Sequence, residues 1–390
     1  TGSNVLKLED TIAIYRKIIG EFNSINADTI LIQHSTFISR NQQLDTQIHL
    51  QNASMVLTRF RIDSTHDYSN VLSYFINHVQ VHADTLLINR KDQKGKVILN
   101  EINFNSDEQS LEIAHIESIS TKYKNSRTFL NKLLLRDMNV KAFIEEHQIQ
   151  TGTLSCEGGA VTVFAKKESS ALQFKNQSFD FPEDFFDEIK IGSLQLGNTD
   201  IIIRSHEFPD REAITIHQVR FNVLNEINVV QRKTIRQIVS QANWEVDAAS
   251  CSFETKNKLY TISIQGIKFD KAHSLATIQR IALKPILSKE AFGNQVKKQT
   301  DYYDLELKNI QLNGIDFEAL LNSSTLNIQQ AKTSIDLRVY NDRLLDVNNE
   351  SKVGNYPHQQ ILKLKMPFYI KQFIIDNSYV SYTERAFQTK

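Results

Sequence analysis

Glycine and proline are scarce in this chain, at 12 and 5 of 390 residues, and so are cysteine at 2 and tryptophan at 1. Few glycines disfavour phosphate-cradling loops, which need bare backbone to close on an anion. Cys156 and Cys251 lie far apart and cannot make a zinc site alone; one disulfide and two small buried thiols are both open readings. Charge of one sign is lacking too, since Lys+Arg and Asp+Glu each number 45. A general nucleic-acid binder needs an excess of cations on one face, so that class is set aside. No basic run suggests a polybasic membrane anchor. Nor does any stretch approach the roughly 18 consecutive apolar residues of a membrane-spanning helix.

The ends invite an expectation of their own. The chain starts Thr1-Gly2-Ser3, which reads as a tag remnant or a processed end, with any targeting segment removed. Tyr379-Val380-Ser381-Tyr382 reads as a strand whose partner lies beyond Lys390, so an excerpt of a longer protein is expected.

What is present is ordinary globular composition, 41% apolar and 23% charged, arranged with period two. One unit recurs: Ile30 to Ile38, Val79 to Ile88, Leu194 to Ile203 and Phe373 to Tyr382. Each places apolar side chains two apart, then small polar residues, then a second apolar run. This predicts strand, turn, strand, with the polar residues where the chain bends or reverses. A second motif is apolar at its first, fourth and sixth places: Leu99–Phe104, Ile216–Phe221, Ile264–Phe269 and Leu307–Leu312. Asn, Gln or Gly in between predicts a strand with a local break or bulge.

A longer match points to duplication. Leu135 to Ile144 aligns with Leu312 to Leu321 at an offset of 177 residues, and Ile191 and Leu194 align with Ile370 and Phe373 at 179. Two nearly equal offsets predict two continuous β arrays, residues 1–170 with a leading helix and residues 171–390. Helical spacing is found at Leu8–Phe22, and shorter candidates at Tyr68–Ile76, Glu183–Ile189, Val229–Ala242 and Lys289–Val296.

The search for chemistry returns little. His78 and His82 are four apart but sit in or beside a predicted strand, and no His-Glu-x-x-His or carboxylate cluster has ligand spacing. Ser155-Cys156-Glu157-Gly158-Gly159 lacks the lysine of a phosphate loop and the spacing of a hydrolase elbow, so a turn between strands is expected. Asp210-Arg211-Glu212 and Asn341-Asp342-Arg343 read as solvated turns, and Asn52-Ala53-Ser54 and Asn322-Ser323-Ser324 fit the glycosylation acceptor pattern weakly. No catalytic residue, metal or cofactor is predicted, and the chain is not read as an enzyme.

A sheet that buries one side presents a wide apolar surface, and soluble monomers do not leave large patches uncovered. Three covers are open: a second sheet, a partner protein, or a ligand with a long apolar body. Met366-Pro367-Phe368 through Tyr382 resembles a repeat of AsmA-like envelope proteins, which reads proline, apolar strand, Asn with a small residue, then a strand ending in Tyr. Ile310 to Arg343 resembles the helix-plus-strand unit of the same family. Copies one and two depart from it, with His34 and Ala83 at the turn position.

The resemblance implies a mainly β fold with short helices: an elongated, curled antiparallel sheet of repeated strand units, with roughly 16 to 20 strands. It further implies an apolar groove, a place in the periplasm of a Gram-negative cell envelope, and a membrane anchor outside this sequence. The expected partner is a phospholipid or another acyl-chain ligand, and the role is lipid binding, lipid transfer or regulation of outer-membrane assembly. The groove candidates are Ile30, Ile32, Val79, Val81, Leu194, Leu196, Phe373 and Ile375. The alternative is a non-catalytic structural or assembly protein of the envelope with its core closed internally.

Overall fold

The computed structural model describes residues 24–41, 46–63, 78–90, 95–120, 127–146, 148–165, 188–205, 214–230, 235–255, 257–347 and 367–386. The protein is mainly β: seventeen strands assigned to one open, mixed sheet, with four short helices among the described residues. The chain divides into two compact units, residues 1–162 with 177–199 and 222–242, and residues 163–176 with 200–221 and 243–390. The boundary expected between 170 and 171 falls outside the described residues, as do the predicted helices Leu8–Phe22 and Tyr68–Ile76.

In the first unit, β1 (Ser24–Asn41), β2 (Thr46–Asp63), β3 (Val79–Arg90), β4 (Gly95–Asn105), β5 (Ser110–Ser120), β6 (Arg127–Arg136) and β7 (Gln148–Ala165) form an antiparallel meander. Helix α1 (Val140–Glu145) stands between β6 and β7. The next strand, β8 (Glu188–Ser205), breaks the alternation. The Ser193 hydroxyl lies 3.4 Å from that of Thr153, and a Cβ on Gly192 or Gly197 would meet the carbonyl of Gly152 or Glu157. Residue numbers rise together along both strands, so β8 runs parallel to β7. A parallel neighbour needs a long crossover, and 22 residues lie between β7 and β8. β10 (Ile227–Val230) then pairs antiparallel with the start of β8, Ile227 opposite Ile191, and α2 (Ile235–Gln241) follows it.

The second unit repeats the plan. β9 (Ile214–Val223) pairs with β11 (Trp244–Glu254), and β11, β12 (Tyr260–Asp270), β13 (Leu275–Pro285), β14 (Tyr302–Ile315) and β15 (Leu326–Asp342) form a second antiparallel meander. Helix α3 (Lys289–Val296) sits where the spacing predicts it, and α4 (Phe317–Ser323) stands between β14 and β15. Strands β16 (Phe368–Ile375) and β17 (Tyr379–Arg385) both run parallel to β15, Ala331 opposite Phe373 and Leu337 opposite Val380. They are two halves of one strand position, parted at Asp376-Asn377-Ser378. The antiparallel expectation holds within each meander, and a parallel pairing closes each one.

The duplication is visible in individual hydrogen bonds. Asn139 caps α1 by accepting from Ala142 N at 3.0 Å, and Asp316, 177 residues on, caps α4 by accepting from Ala319 N at 2.8 Å. Asn139 N donates to Gln150 O at 2.9 Å and Asp316 N to Asn327 O at 3.0 Å. Upstream the spacing is 165: Ser106 N donates to Val79 O, and Lys271 N to Trp244 O, both at 3.0 Å. The difference arises between β5 and β6, whose connection is short, and between β13 and β14, whose connection contains α3.

Within the four strand–turn–strand copies the chain bends but does not reverse. Copies one, two and three lie inside single strands, β1, β3 and β8, and the fourth crosses the break between β16 and β17. The second copy occupies a different place in the repeat from the others, since β3 corresponds to β11 rather than to β8. The predicted Glu183–Ile189 helix is strand where it is described, from Glu188, and Val229–Ala242 is, among its described residues, helical over Ile235–Gln241 and strand at Val229 and Val230.

Candidate functional site: an apolar face carried across a line of kinks

The second motif explains how one face stays apolar along each strand. Its third residue is left-handed in all four copies: Glu101, Gln218, Gly266 and Asn309, with φ from 52 to 61°. Asn52 on β2 and Lys132 on β6 match them in motifs that sequence inspection missed, Leu50–Met55 and Leu130–Leu135. Asn377 takes the same conformation between β16 and β17. In a regular strand the first and fourth places would face opposite sides. The left-handed residue shifts the alternation by one, and the facing strand shares the shift. β11 has no left-handed residue but lies opposite Gly266 of β12, between the pairs Ala248–Ile267 and Ser250–Gln265, and Ala248 and Cys251, of opposite parity, are both buried. Cross-strand register survives at β4–β5, where Asn100 opposes His115 and Ile102 opposes Ile113 with no inserted residue. These are kinks without an insertion there, while β1–β2 and β14–β15 carry true register shifts.

Cross-strand partners share a face, so the ladders define rows of side chains. In the first unit one row reads Ile32, Met55, Val81, Phe104, Leu111, Leu135 and Leu154. The parallel register carries it on to Leu194. A second reads Ala53, Ala83, Ile102, Ile113, Leu133 and Cys156, leading to Leu196. In the second unit the equivalent rows are Val246, Phe269, Ala276, Leu312, Ala331 and Phe373, and Ala248, Ile267, Ile278 and Ile310, with Ile375 opposite Thr333. Neither unit puts a charge in these rows. Between the first two rows, on the other face, stand Ser54, His82, Asn103, Glu112, Leu134 and Ser155.

Every predicted groove residue lies in this lattice of rows. Ile30, opposite Leu57, which opposes Val79, adds a third row at the helix-capped end. Val79 is buried, Ile30, Val81, Leu194 and Leu196 are half-buried, and Ile32 on β1 and Phe373 and Ile375 on β16 are exposed. The rows are closed at the strand ends by helices. In the second unit Phe317 of α4 meets Trp244 edge-on at 5.1 Å, and Phe292 of α3 meets Tyr260 and Tyr302 at 5.9 and 5.2 Å.

At three of the kinks, main-chain groups outside the ladder are taken up by polar side chains. Asp200 accepts from Gln218 N at 2.9 Å, Ser378 Oγ accepts from Ile335 N at 2.9 Å, and Thr333 Oγ1 donates to Lys308 O at 3.2 Å. Lys132 Nζ meets Glu157 at 2.8 Å, and Asn52 bridges His34 and Asp84 at 2.9 and 2.6 Å. Gly158 and Gly159 lie inside β7, not in the expected turn. A Cβ there would come within 2.1 Å of the Asn198 and Phe129 carbonyls, at φ +142 and +155°.

The outer face of β13 and β14 is ionic. Glu306 is held by Lys284, Arg280 and Lys308, whose hydrogen bonds keep its carboxyl down at about 2, with Lys284 Nζ at 2.7 Å. Tyr303 is pushed up to about 12, chiefly by burial and then by the neighbouring Asp301 carboxylate. Asn341, expected in a solvated turn, is buried at the end of β15 and donates to Asp301 at 2.7 Å. Asp342 beside it pairs with Arg385, and Arg343 with Glu384. Asp210-Arg211-Glu212 lies outside the described residues.

The histidines meet amides or carboxylates: His78 meets Asp107, His82 Asn103 and His115 Asn131, at 2.7 to 2.9 Å, and the Nε2 of His82 also lies 3.4 Å from Asp84. No group of three or more metal-ligating side chains occurs among the described residues. Cys156 and Cys251 are both free and buried, and burial raises both thiols. No described helix is long and apolar enough to cross a membrane. No family model, curated protein or solved structure matches the chain.

Proposed function

We propose that the chain is a non-catalytic lipid-binding protein whose apolar sheet face takes the acyl chains of phospholipids. The observation that carries this reading is the run of cross-strand rows without a charged side chain, from Ile32 to Leu154 in one unit and from Val246 to Phe373 in the other. Each buried methylene contributes about 0.8 kcal/mol, so a chain of ~15 carbons gains on the order of 12 kcal/mol before ordering costs. Lipid transfer within a periplasmic envelope, the role expected from the AsmA-like resemblance, extends the same proposal. That part rests on the resemblance of Met366 to Tyr382 and of Ile310 to Arg343.

A second reading is an assembly protein with a closed core. It is favoured by the small, fully covered side chains Ala83 and Ala276, at 1 and 0% exposure, which leave little room above them. Native mass spectrometry of the purified chain mixed with phosphatidylethanolamine vesicles separates the two. The lipid reading expects bound phospholipid, cut at least fivefold by Phe104→Glu together with Phe269→Glu in a protein of unchanged circular dichroism. Lipid-free protein, or equal loading of the variant, leaves the closed-core reading.

A further inference from the structure

Strands β1, β8 and β16/β17 occupy the same place in successive repeats, marked by His34, Asn198 and Asn377 at their centres. Two of the three carry an antiparallel strand on the far edge. β1 carries β2. β8 carries β10 at its start, and near its end Asp200 takes the Gln218 amide of β9. In both cases the added strand brings a left-handed residue to the line of kinks, Asn52 or Gln218. The third position ladders only with β15 among the described residues. Its apolar side chains stand in solvent, Phe373 and Ile375 at 54 and 53% and Val380 at 67%, whereas Leu194 and Leu196 at the matching places of β8 are half-buried.

We propose that the outer edge of β16 and β17 is an acceptor for one extended polypeptide segment, which adds antiparallel with the pattern of β2. An unpaired edge supplies a row of main-chain donors and acceptors, and alternate side chains select what joins it. The two filled edges show what that selection is: apolar residues at the first, fourth and sixth places around a residue that tolerates positive φ. Register follows from β1, where Ile32 opposes Met55 and Phe37 opposes Leu50. The added strand therefore sets its sixth-place residue against Ile375 and its first-place residue against Val380. The proposal stands independently of lipid binding.

The test uses the full chain and a fluorescein-labelled peptide with the sequence Thr46–Asp63. The expected result is saturable binding, at least tenfold tighter than that of a scrambled peptide. Phe373→Lys with Val380→Lys, at exposed positions that leave the backbone intact, should weaken it at least tenfold. Hydrogen exchange should slow at least tenfold over residues 368–385 on peptide addition. Binding that ignores the lysine pair, protection at β1 instead, or no binding overturns the proposal. Sedimentation showing a dimer that protects residues 368–385 without peptide also overturns it, in favour of a second copy.

Discussion

At the left-handed positions an ordinary side chain works against the backbone. Holding a non-glycine residue there costs about 1 to 2 kcal/mol, and Gly266 shows the relief available at the place that Glu101 occupies in the first repeat. Glu101→Gly should therefore raise stability by about 0.5 to 1 kcal/mol in urea unfolding, and Glu101→Val should lower it by about 1 to 2 kcal/mol. Equal effects of the two would remove the strain argument. Glu306 supplies the pH dependence. Its folded pKa lies near 2, below the usual value, so its contribution is present above about pH 4.5 and is lost as pH falls through 2. Glu306→Gln should cost about 1 to 2 kcal/mol at pH 7, allowing for solvent screening, and flatten the stability profile between pH 4.5 and 2. A profile that keeps its slope would assign the acid sensitivity elsewhere.

At the scale of elements, α1 and α4 close the same end of each repeat, and their caps should behave alike. Asn139→Ala and Asp316→Ala should each cost about 1 kcal/mol. Trp244 is the only tryptophan and meets Phe317, so Phe317→Ala should cost about 3 to 4 kcal/mol and red-shift the emission. Unshifted emission would mean that α4 does not shield the indole. Strands were legible because apolar alternation is a periodic signal, and Lys289–Val296 because Phe292 and Val296 keep helical spacing. The break in Leu99–Phe104 and its three relatives was legible because a phase change is visible in the apolar residues themselves. The parallel returns at β8 and β16 were not, because alternation is identical in parallel and antiparallel strands. The 165-residue correspondence was also hidden, because it is held by main-chain hydrogen bonds such as Ser106 N to Val79 O, which leave no mark on the side chains.

At the scale of the whole molecule, the eight residues singled out from sequence fall in rows that ladder pairing places on the apolar face of each unit. Sequence supplied the apolar positions but not their cross-strand partners, since Met55, Phe104 and Leu135 join Ile32 and Val81 only through register. The central claim is that acyl chains lie on this face and not on the one bearing Asn103 and Glu112. The most direct measurement places a single tryptophan on either face, Phe104→Trp or Asn103→Trp in a Trp244→Phe background, and adds phospholipid with brominated acyl chains. Strong quenching at position 104 with little at 103 is the predicted result. Equal quenching at both positions, or none at 104, would contradict it.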